Sequence, residues 1–244
     1  MTSTQRTNEF GQPIGAEVIG WDGAGRPPRT PMEGLFCRTE PLASERHLAD
    51  LFEAYAEDAE GKIWTYMFNG PFQSATELRD WMTSASASDD PLFYAIIDVS
   101  TGKAVGMAAY MRIKPGVGVI EVGNIAYSPK LQRTPVATEA MFLMMRRAFN
   151  ELGYRRYEWK CDSLNAPSRR AAERLGFTFD GLFKQAIVYK GRNRDTAWYS
   201  ILDRDWPTLE RAYTTWLDAE NFDENGQQKR KLRELIASEN SGAP

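Results

Sequence analysis

Histidine and cysteine are scarce in this 244-residue chain, and their scarcity narrows its chemistry. The single histidine, His47, argues against a histidine-based catalytic triad and against a histidine metal site. The two cysteines, Cys37 and Cys161, have neither the spacing of metal ligands nor the number expected of a disulfide framework. We therefore expect no bound metal and a reducing, cytoplasmic setting.

The sequence also lacks long hydrophobic runs and an excess of positive charge. No apolar stretch approaches the roughly 20 residues that span a bilayer, and the first residues lack the apolar segment of a secretory signal. The net charge of -3 argues against a broad face for nucleic acid. We expect neither a membrane nor a nucleic acid among the partners.

The apolar periodicity divides the chain into three regions. Residues 1–33 are rich in glycine and proline and predict an extended arm, with Ile19 and Trp21 as its anchors. Residues 34–206 alternate between strand and helix patterns, and residues 207–244 predict one C-terminal helix followed by a loose tail. A mixed sheet with inserted helices is an α/β (α+β) fold.

The predicted elements follow from period and flanking turn residues. Helices are predicted from the capping residue Ser44, over Ser74–Thr83, Val136–Leu152 and Ala166–Leu175, and from Pro207. Strands are predicted at Gly34–Leu42, Pro91–Val99, Ala104–Ile113, Val117–Tyr127, Arg155–Cys161, Phe179–Tyr189 and Thr196–Leu202. The aromatic loop Trp64–Phe72 has two interpretations, core packing or the wall of a substrate cavity.

A strand, a short basic loop and an amphipathic helix follow one another after Ile120. Thr134 suits the N-cap, and Pro135 suits the first helical position, where proline forfeits only an N–H that would be unpaired. The five amides of Gln132 to Thr134, Val136 and Ala137 can converge on an anion, which the helix dipole favours. Lys130 and Arg133 add positive charge beside them. An ordinary strand–turn–helix with solvated basic residues is the alternative.

Two segments resemble the GNAT acyltransferases, particularly their RimJ/RimL-like branch. Gln132-Arg-Thr-Pro-Val-Ala137 is similar to the phosphate loop Gln/Arg-x-x-Gly-x-Gly/Ala of that family, with Pro135 at the first glycine. Asn165-Ala-Pro-Ser-Arg-Arg-Ala-Ala-Glu-Arg-Leu-Gly-Phe177 resembles the family's Asn-x-x-Ser/Ala…Glu-Lys-x-Gly-Phe stretch. The resemblance spans roughly Gly34 to Trp206, which leaves the arm and the C-terminal helix outside the family core.

The resemblance implies a GNAT-type, mostly antiparallel central sheet flanked by helices. It also implies acetyl-CoA as cosubstrate and direct transfer to a primary amine, of a small molecule or a protein N-terminus, in a ternary complex. The strand before the loop should separate from its neighbour near Gly123 and Asn124. The implied CoA contacts are Ile125, Tyr127, Gln132, Arg133, Thr134, Val136, Ala137, Asn165 and Ser168.

Two residues are candidates for proton transfer. Glu121, on the strand before the loop, is a candidate general base, and water is the alternative. Ser168 is the candidate that assists the leaving sulfur, because Ala172 stands where many family members have a tyrosine. Pro135 and Ala172 also motivate an alternative function, a non-catalytic GNAT-like module that binds CoA or a partner. Exposed sheet edges often pair in this family, so the resemblance is compatible with either a monomer or a homodimer.

Overall fold

The computed structural model describes residues 6–241 and contains the following elements. The strands are β1 (Arg6–Thr7), β2 (Pro13–Ile14), β3 (Met32–Glu33), β4 (Cys37–Pro41), β5 (Leu92–Asp98), β6 (Lys103–Lys114), β7 (Val119–Tyr127), β8 (Arg156–Asp162), β9 (Thr178–Tyr189) and β10 (Arg192–Leu202). The helices are α1 (Ser44–Ala56), α2 (Ala75–Ala87), α3 (Pro135–Arg146), α4 (Ala166–Arg174), α5 (Trp206–Leu217) and α6 (Leu232–Ser241).

One eight-stranded sheet organises the described residues. Its strand order is β3-β4-β5-β6-β7-β8-β10-β9, and β1 and β2 pair separately as a small hairpin. Neighbouring strands of the sheet are antiparallel except for β7 and β8, which run parallel. Helix α3 and strand β8 follow β7 in the chain, so a helical crossover makes this parallel pair possible. The predicted fold class, a mixed and mostly antiparallel sheet with flanking helices, is confirmed.

Helices cover both faces of the sheet. Helices α1 and α2 pack on one face through an apolar cluster that includes Leu51 and Met82. Helices α3, α4, α5 and α6 pack on the other, and α3 is buried along nearly its whole length. On the outer side of α3, the ring of Phe142 stacks on that of Tyr213 at 5.3 Å. No helix within residues 6–241 combines the length and apolarity needed to cross a bilayer.

The arm is attached to the sheet, but only one of its predicted anchors is correct. The indole N–H of Trp21 donates to the carbonyl oxygen of Gly116 at 3.0 Å, as an anchor should. Ile19 is 85% exposed, so that prediction is wrong. The end of the arm extends the sheet, because β3 pairs with β4 at one edge. Residues 1–5 of the predicted arm lie outside the described residues.

The C-terminal tail differs from the prediction more clearly. The sequence predicts a loose tail, and the structure has a second C-terminal helix, α6, packed against α5. The cause is a short apolar pair, Leu232 and Leu235, spaced for one helical face and buried in the main core. Residues 242–244 of the predicted tail lie outside the described residues.

Smaller corrections concern caps and strand ends. Helix α1 has Ala43 at its N-cap, without a side-chain cap, and Ser44 is its first residue. Ser74 does cap α2, because its hydroxyl accepts a hydrogen bond from the amide of Glu77 at 3.2 Å. Strand β10 begins at Arg192, earlier than the predicted Thr196.

Candidate active site

The parallel strands β7 and β8 separate in the middle of the sheet. Their pairing runs from Val119 with Arg156 to Val122 with Trp159 and then stops, although both strands continue. Separation therefore begins at Gly123, as predicted. A side chain there would meet the sulfur of Met111, which favours glycine.

A bulge accompanies the separation on the other edge of β7. Asn124 has a left-handed φ of 49°, and the pairing with β6 skips Asn124 and Ile125. The bulge breaks the simple alternation that would place Glu121 and Tyr127 on one face. It also leaves the backbone of Ile125 outside the ladder with β6, next to the gap.

The start of α3 is capped as the sequence predicts. Thr134 is the N-cap, and its hydroxyl accepts a hydrogen bond from the amide of Ala137 at 3.2 Å. The amide of Gln132 donates to the carbonyl oxygen of Ser128 at 3.1 Å. Both of these predicted anion donors are thus engaged within the chain.

Three amides remain at this helix start. Those of Arg133, Thr134 and Val136 donate no hydrogen bond to any of the described residues, in keeping with the unpaired N–H groups of a helix N-terminus. Pro135 supplies none. The free donors of the loop are therefore fewer than the five amides expected from the sequence, and they lie beside the gap between β7 and β8.

Charge at this loop is distributed differently from the sequence-based expectation. The Lys130 ammonium is 2.6 Å from a carboxylate oxygen of Glu57 and 3.7 Å from one of Glu53, so two acids at the C-terminal end of α1 neutralise it. Arg133 is exposed and has a left-handed φ of 64°. A second cation, which the sequence reasoning missed, is Arg174 of α4, whose guanidinium donates to the hydroxyl of Thr138 at 3.0 Å.

Arg174 had a recognisable signal in the sequence. Arg170 and Arg174 are four residues apart on α4, so they share one helix face, and both line the cleft described below. Arg169, which precedes Arg170 in the chain, instead donates to the hydroxyl of Tyr199 at 3.1 Å.

Gln132 and Tyr127 join the end of β7 to the start of α3. The side-chain amide of Gln132 donates to the carbonyl oxygen of Tyr127 at 3.0 Å. The Tyr127 hydroxyl donates to the carbonyl oxygen of Ala137 at 3.3 Å, and burial raises the pKa of this hydroxyl above its usual range. These two bonds fix the loop against the strand.

Asn165 and Ser168 form the start of α4 at the edge of the gap. Asn165 is the N-cap and accepts a hydrogen bond from the amide of Ser168 at 3.1 Å. The indole N–H of Trp159 donates to the Ser168 hydroxyl oxygen at 3.0 Å. Because that oxygen accepts from Trp159, the hydroxyl proton of Ser168 is left to donate elsewhere.

Glu121 lies on the opposite face of the sheet from α3. Its neighbours Ile120 and Val122 belong to the core on the α3 side, so alternation points Glu121 toward α1 and α2. Its carboxylate oxygens are 2.6 Å from a guanidinium nitrogen of Arg112 and 2.8 Å from the ammonium of Lys160.

The Glu121 carboxylate is almost fully buried, with only 2% of the residue exposed. Burial raises the pKa of its carboxyl above the usual range, and this effect outweighs the opposing effects of Lys160 and Arg112. Protonation of Glu121 therefore occurs closer to neutrality than for an exposed glutamate.

A cleft of about 950 Å³ passes through the gap between the strands and joins these groups. Its lining includes Glu121, Ser168 and the loop from Gln132 to Pro135. Tyr66 and Phe68 of the aromatic loop contribute one wall, and Gly226–Gln228 of the C-terminal region contribute another. Within residues 6–241, no three His, Cys, Asp or Glu side chains are grouped to hold a metal ion.

The fold and this cleft are those of an acyltransferase, because a separated parallel strand pair leads directly to a helix start with three unpaired amides. The chain belongs to the GNAT acetyltransferase family, whose domain model, described as "Acetyltransferase (GNAT) domain", matches residues 39–178.

Similar proteins are known in several bacteria. One is a GCN5-related N-acetyltransferase from Brucella melitensis, whose sequence is 49% identical to this one. The alignment with its crystal structure covers 90% of this chain and 100% of the Brucella chain, with a TM-score of 0.88. The uncharacterized N-acetyltransferase p20 of Bacillus licheniformis is 26% identical over 179 residues, 72% of this chain and 99% of p20. The uncharacterized N-acetyltransferase YnaD of Bacillus subtilis (strain 168) is 29% identical over 91 residues, 37% of this chain and 53% of YnaD's length.

The protein is therefore an acetyltransferase, and enzymes of this family use acetyl-CoA as cosubstrate. The RimJ/RimL-like branch, the division into three regions and the roles of individual site residues remain predictions.

Proposed function

We propose that the protein transfers the acetyl group of acetyl-CoA directly to a primary amine of a small molecule, in a ternary complex. One observation carries this proposal: the cleft passes through the gap between β7 and β8, with three free amides toward one face of the sheet and Glu121 toward the other. Two substrates can then approach from opposite faces and meet in the gap.

The amides of Arg133, Thr134 and Val136 are the proposed donors to the diphosphate of CoA, and the dipole of α3 favours the same charge. The guanidinium groups of Arg133 and Arg174 add positive charge beside them. The backbone of Ile125, outside the ladder with β6, is available to the pantetheine amides. When bound, acetyl-CoA supplies an activated thioester.

Glu121 is the proposed acceptor of the proton that the acceptor ammonium must lose before attack. An alkylamine has a pKa near ~10, so most of it is protonated near neutral pH. Glu121 lines the cleft, and its raised pKa makes its carboxylate a better proton acceptor than an exposed glutamate. Arg112 and Lys160 hold the carboxylate in place.

Ser168 is the proposed hydrogen-bond donor to the departing sulfur. Asn165 and Trp159 fix its backbone and its hydroxyl oxygen, and Ser168 lines the cleft, so its hydroxyl can donate to a thiolate there. Since a thiol has a pKa near ~8.5, a thiolate leaves without a strong acid. Replacement of Ser168 should therefore have a modest effect.

A small acceptor fits the enclosure of the cleft. On the face toward which Glu121 points, Tyr66 and Phe68 of the aromatic loop line the cleft. A short amine reaches the gap past this wall more readily than the end of a folded protein chain does.

The function is tested by mixing the protein with acetyl-CoA and a broad panel of primary amines and measuring free thiol. Thiol release with at least one amine, and an acetylated product of matching mass, are expected. Release no greater than the blank across the panel, with CoA still bound, would favour the non-catalytic module. An absence of CoA binding would contradict both.

The phosphate site is tested with two variants of one residue. Arg133→Glu should raise the Kd of CoA by about tenfold or more, equivalent to ~1.4 kcal/mol, because it reverses a charge beside the diphosphate. Arg133→Gly should weaken binding less, because it keeps the amide and relieves the left-handed backbone at this position. Titration calorimetry measures both values, and equal affinities for wild type and Arg133→Glu would exclude this loop from the binding site.

The role of Ser168 is tested by Ser168→Ala. We expect kcat to fall only about 2- to 10-fold, the size of one ordinary hydrogen bond, with little change in CoA affinity. Single-turnover kinetics and CoA titration provide the two readings. A loss of several orders of magnitude would contradict the modest role proposed here.

A further inference from the structure

Arg194 is a buried cation on the acceptor side of the cleft. It lies near the start of β10, only 7% of the residue is exposed, and it lines the cleft. Its Nε donates to the hydroxyl oxygen of Thr196 at 3.2 Å. Its guanidinium lies 5.6 Å from the ring centroid of Phe68 and 5.8 Å from that of Tyr189. Because Phe68 belongs to the aromatic loop between α1 and α2, Arg194 stands on the face toward which Glu121 points.

This cation lacks an anionic partner in the described part of the chain. No carboxylate of residues 6–241 lies within ion-pair distance of Arg194, whereas the neighbouring cations Arg112 and Lys160 both pair with Glu121. The acid that shares this part of the lining, Asp162, is already engaged. Its carboxylate accepts hydrogen bonds from the Tyr189 hydroxyl at 2.8 Å and from the amide of Leu164 at 2.9 Å.

An unpaired buried guanidinium is costly, because its desolvation is not offset by an opposite charge. The two rings offset part of that cost, and a ligand carboxylate would offset more, since guanidinium and carboxylate match in planar geometry. The surrounding rings of Phe68 and Tyr189 suit an apolar group on the same ligand. Together these features describe a small ligand with one anionic end and an apolar body.

We propose that Arg194 binds a carboxylate of the acceptor, so that the acceptor class is amino carboxylic acids. The inference rests on the proposed function, because it assigns the acceptor of the same cleft. Sequence reasoning did not single out Arg194, since an arginine near a turn is usually a solvated residue.

The experiment compares amino acids with their primary amides, in which a neutral group of nearly the same shape replaces the carboxylate. The amide of an α-amino acid also has a lower ammonium pKa, which favours acetylation of the amide, so a preference for the acid must come from the enzyme. Phenylalanine and amino acids with a longer separation between amine and carboxylate, such as 4-aminobutanoate and 6-aminohexanoate, are each assayed against their amides. For at least one pair, wild type should prefer the acid by about 10- to 100-fold in kcat/KM. Arg194→Gln should bring that ratio close to one, and Arg194→Lys should restore part of it.

Arg192→Gln is the matched control. Arg192 is on the same hairpin and also lies over the Tyr189 ring, at 5.3 Å, but it is exposed and donates to the carbonyl oxygen of Thr65. This variant should keep the wild-type preference. Thermal unfolding and CoA titration of every variant separate a folding defect from a change in specificity.

Inhibition of the wild-type enzyme provides a second test, which needs no variant. The carboxylate 3-phenylpropanoate, which lacks an amine, should inhibit wild type competitively with the acceptor, and 3-phenylpropanamide should not. Equal rates for acids and amides in wild type, together with equal inhibition by these two compounds, would overturn the role of Arg194. Failure of wild type to acetylate any amine would instead overturn the proposed function itself.

Discussion

Replacing Glu121 with glutamine is expected to lower kcat/KM for the acceptor by about 10²–10³-fold, the usual contribution of a general base. The amide keeps the size of the side chain but cannot take the ammonium proton at neutral pH. CoA affinity should change little, because the proposed phosphate donors are on the other face of the sheet.

The pH dependence of kcat/KM provides a second test of Glu121 as the general base. A base must be deprotonated, and burial raises the pKa of Glu121, so wild-type kcat/KM should fall as pH decreases through that raised pKa. Lys160 and Arg112 face the carboxylate and favour ionisation, and Glu158 opposes it, so their balance sets the position of this limb. In Glu121→Gln, the acidic limb should disappear from stopped-flow measurements of thiol release.

Glu158→Gln is the matched control for Glu121. Glu158 is also buried and its carboxylate oxygen is 2.7 Å from the same Lys160 ammonium, but Glu158 is not part of the cleft lining in the described chain. Its replacement should change stability more than rate. If Glu121→Gln keeps a wild-type rate and acidic limb, water takes the proton and Glu121 has only a structural role.

Replacing Glu139 with alanine is expected to reduce the free energy of unfolding by about 3–5 kcal/mol, a large share of the ~5–15 kcal/mol typical of a folded domain. Its carboxylate accepts hydrogen bonds from three consecutive backbone amides at the start of β4, those of Leu35, Phe36 and Cys37, at 2.7, 2.6 and 2.7 Å. The substitution would leave these buried or half-buried donors unpaired. A side chain at Gly34 would collide with the carboxylate, which accounts for the glycine.

Glu53→Ala is the control for this stability prediction. Glu53 is exposed and pairs on the surface with Lys103 at 3.0 Å and with Lys130 at 3.7 Å, so its loss should change the free energy of unfolding far less than the loss of Glu139. Urea unfolding measures both variants. Equal midpoints for Glu139→Ala and Glu53→Ala would contradict the structural role assigned to Glu139.

Much of the fold was accessible from the sequence, because it depends on local patterns. The cap at Thr134, the change of period after it, and the glycine at residue 123 predicted a strand, a loop and a helix that the structure contains. Helix α6 was missed, since its apolar face consists mainly of Leu232 and Leu235 within a polar segment. This short apolar face stabilises a helix only because it packs against α5.

The site was less predictable, because partners distant in the chain decide which groups are free. From the sequence, Lys130 was expected to add charge at the phosphate site, but in the structure it pairs with Glu57. The amide of Ala137 was expected to bind an anion, but it donates to the hydroxyl of Thr134. Arg194 gave no signal, since its burial depends on a loop more than a hundred residues earlier. Pairing between distant residues is what a single sequence does not reveal.

The family model ends at residue 178, but the support behind α3 continues beyond it. Phe149, just after α3, stacks on Trp206, and Phe142 stacks on Tyr213. The helix whose first turn holds the proposed diphosphate donors is thus packed against α5, which lies outside the family model. A catalytic core excised at the family boundary would lose this backing, so the C-terminal helices belong to the enzyme's framework and are not an appendage.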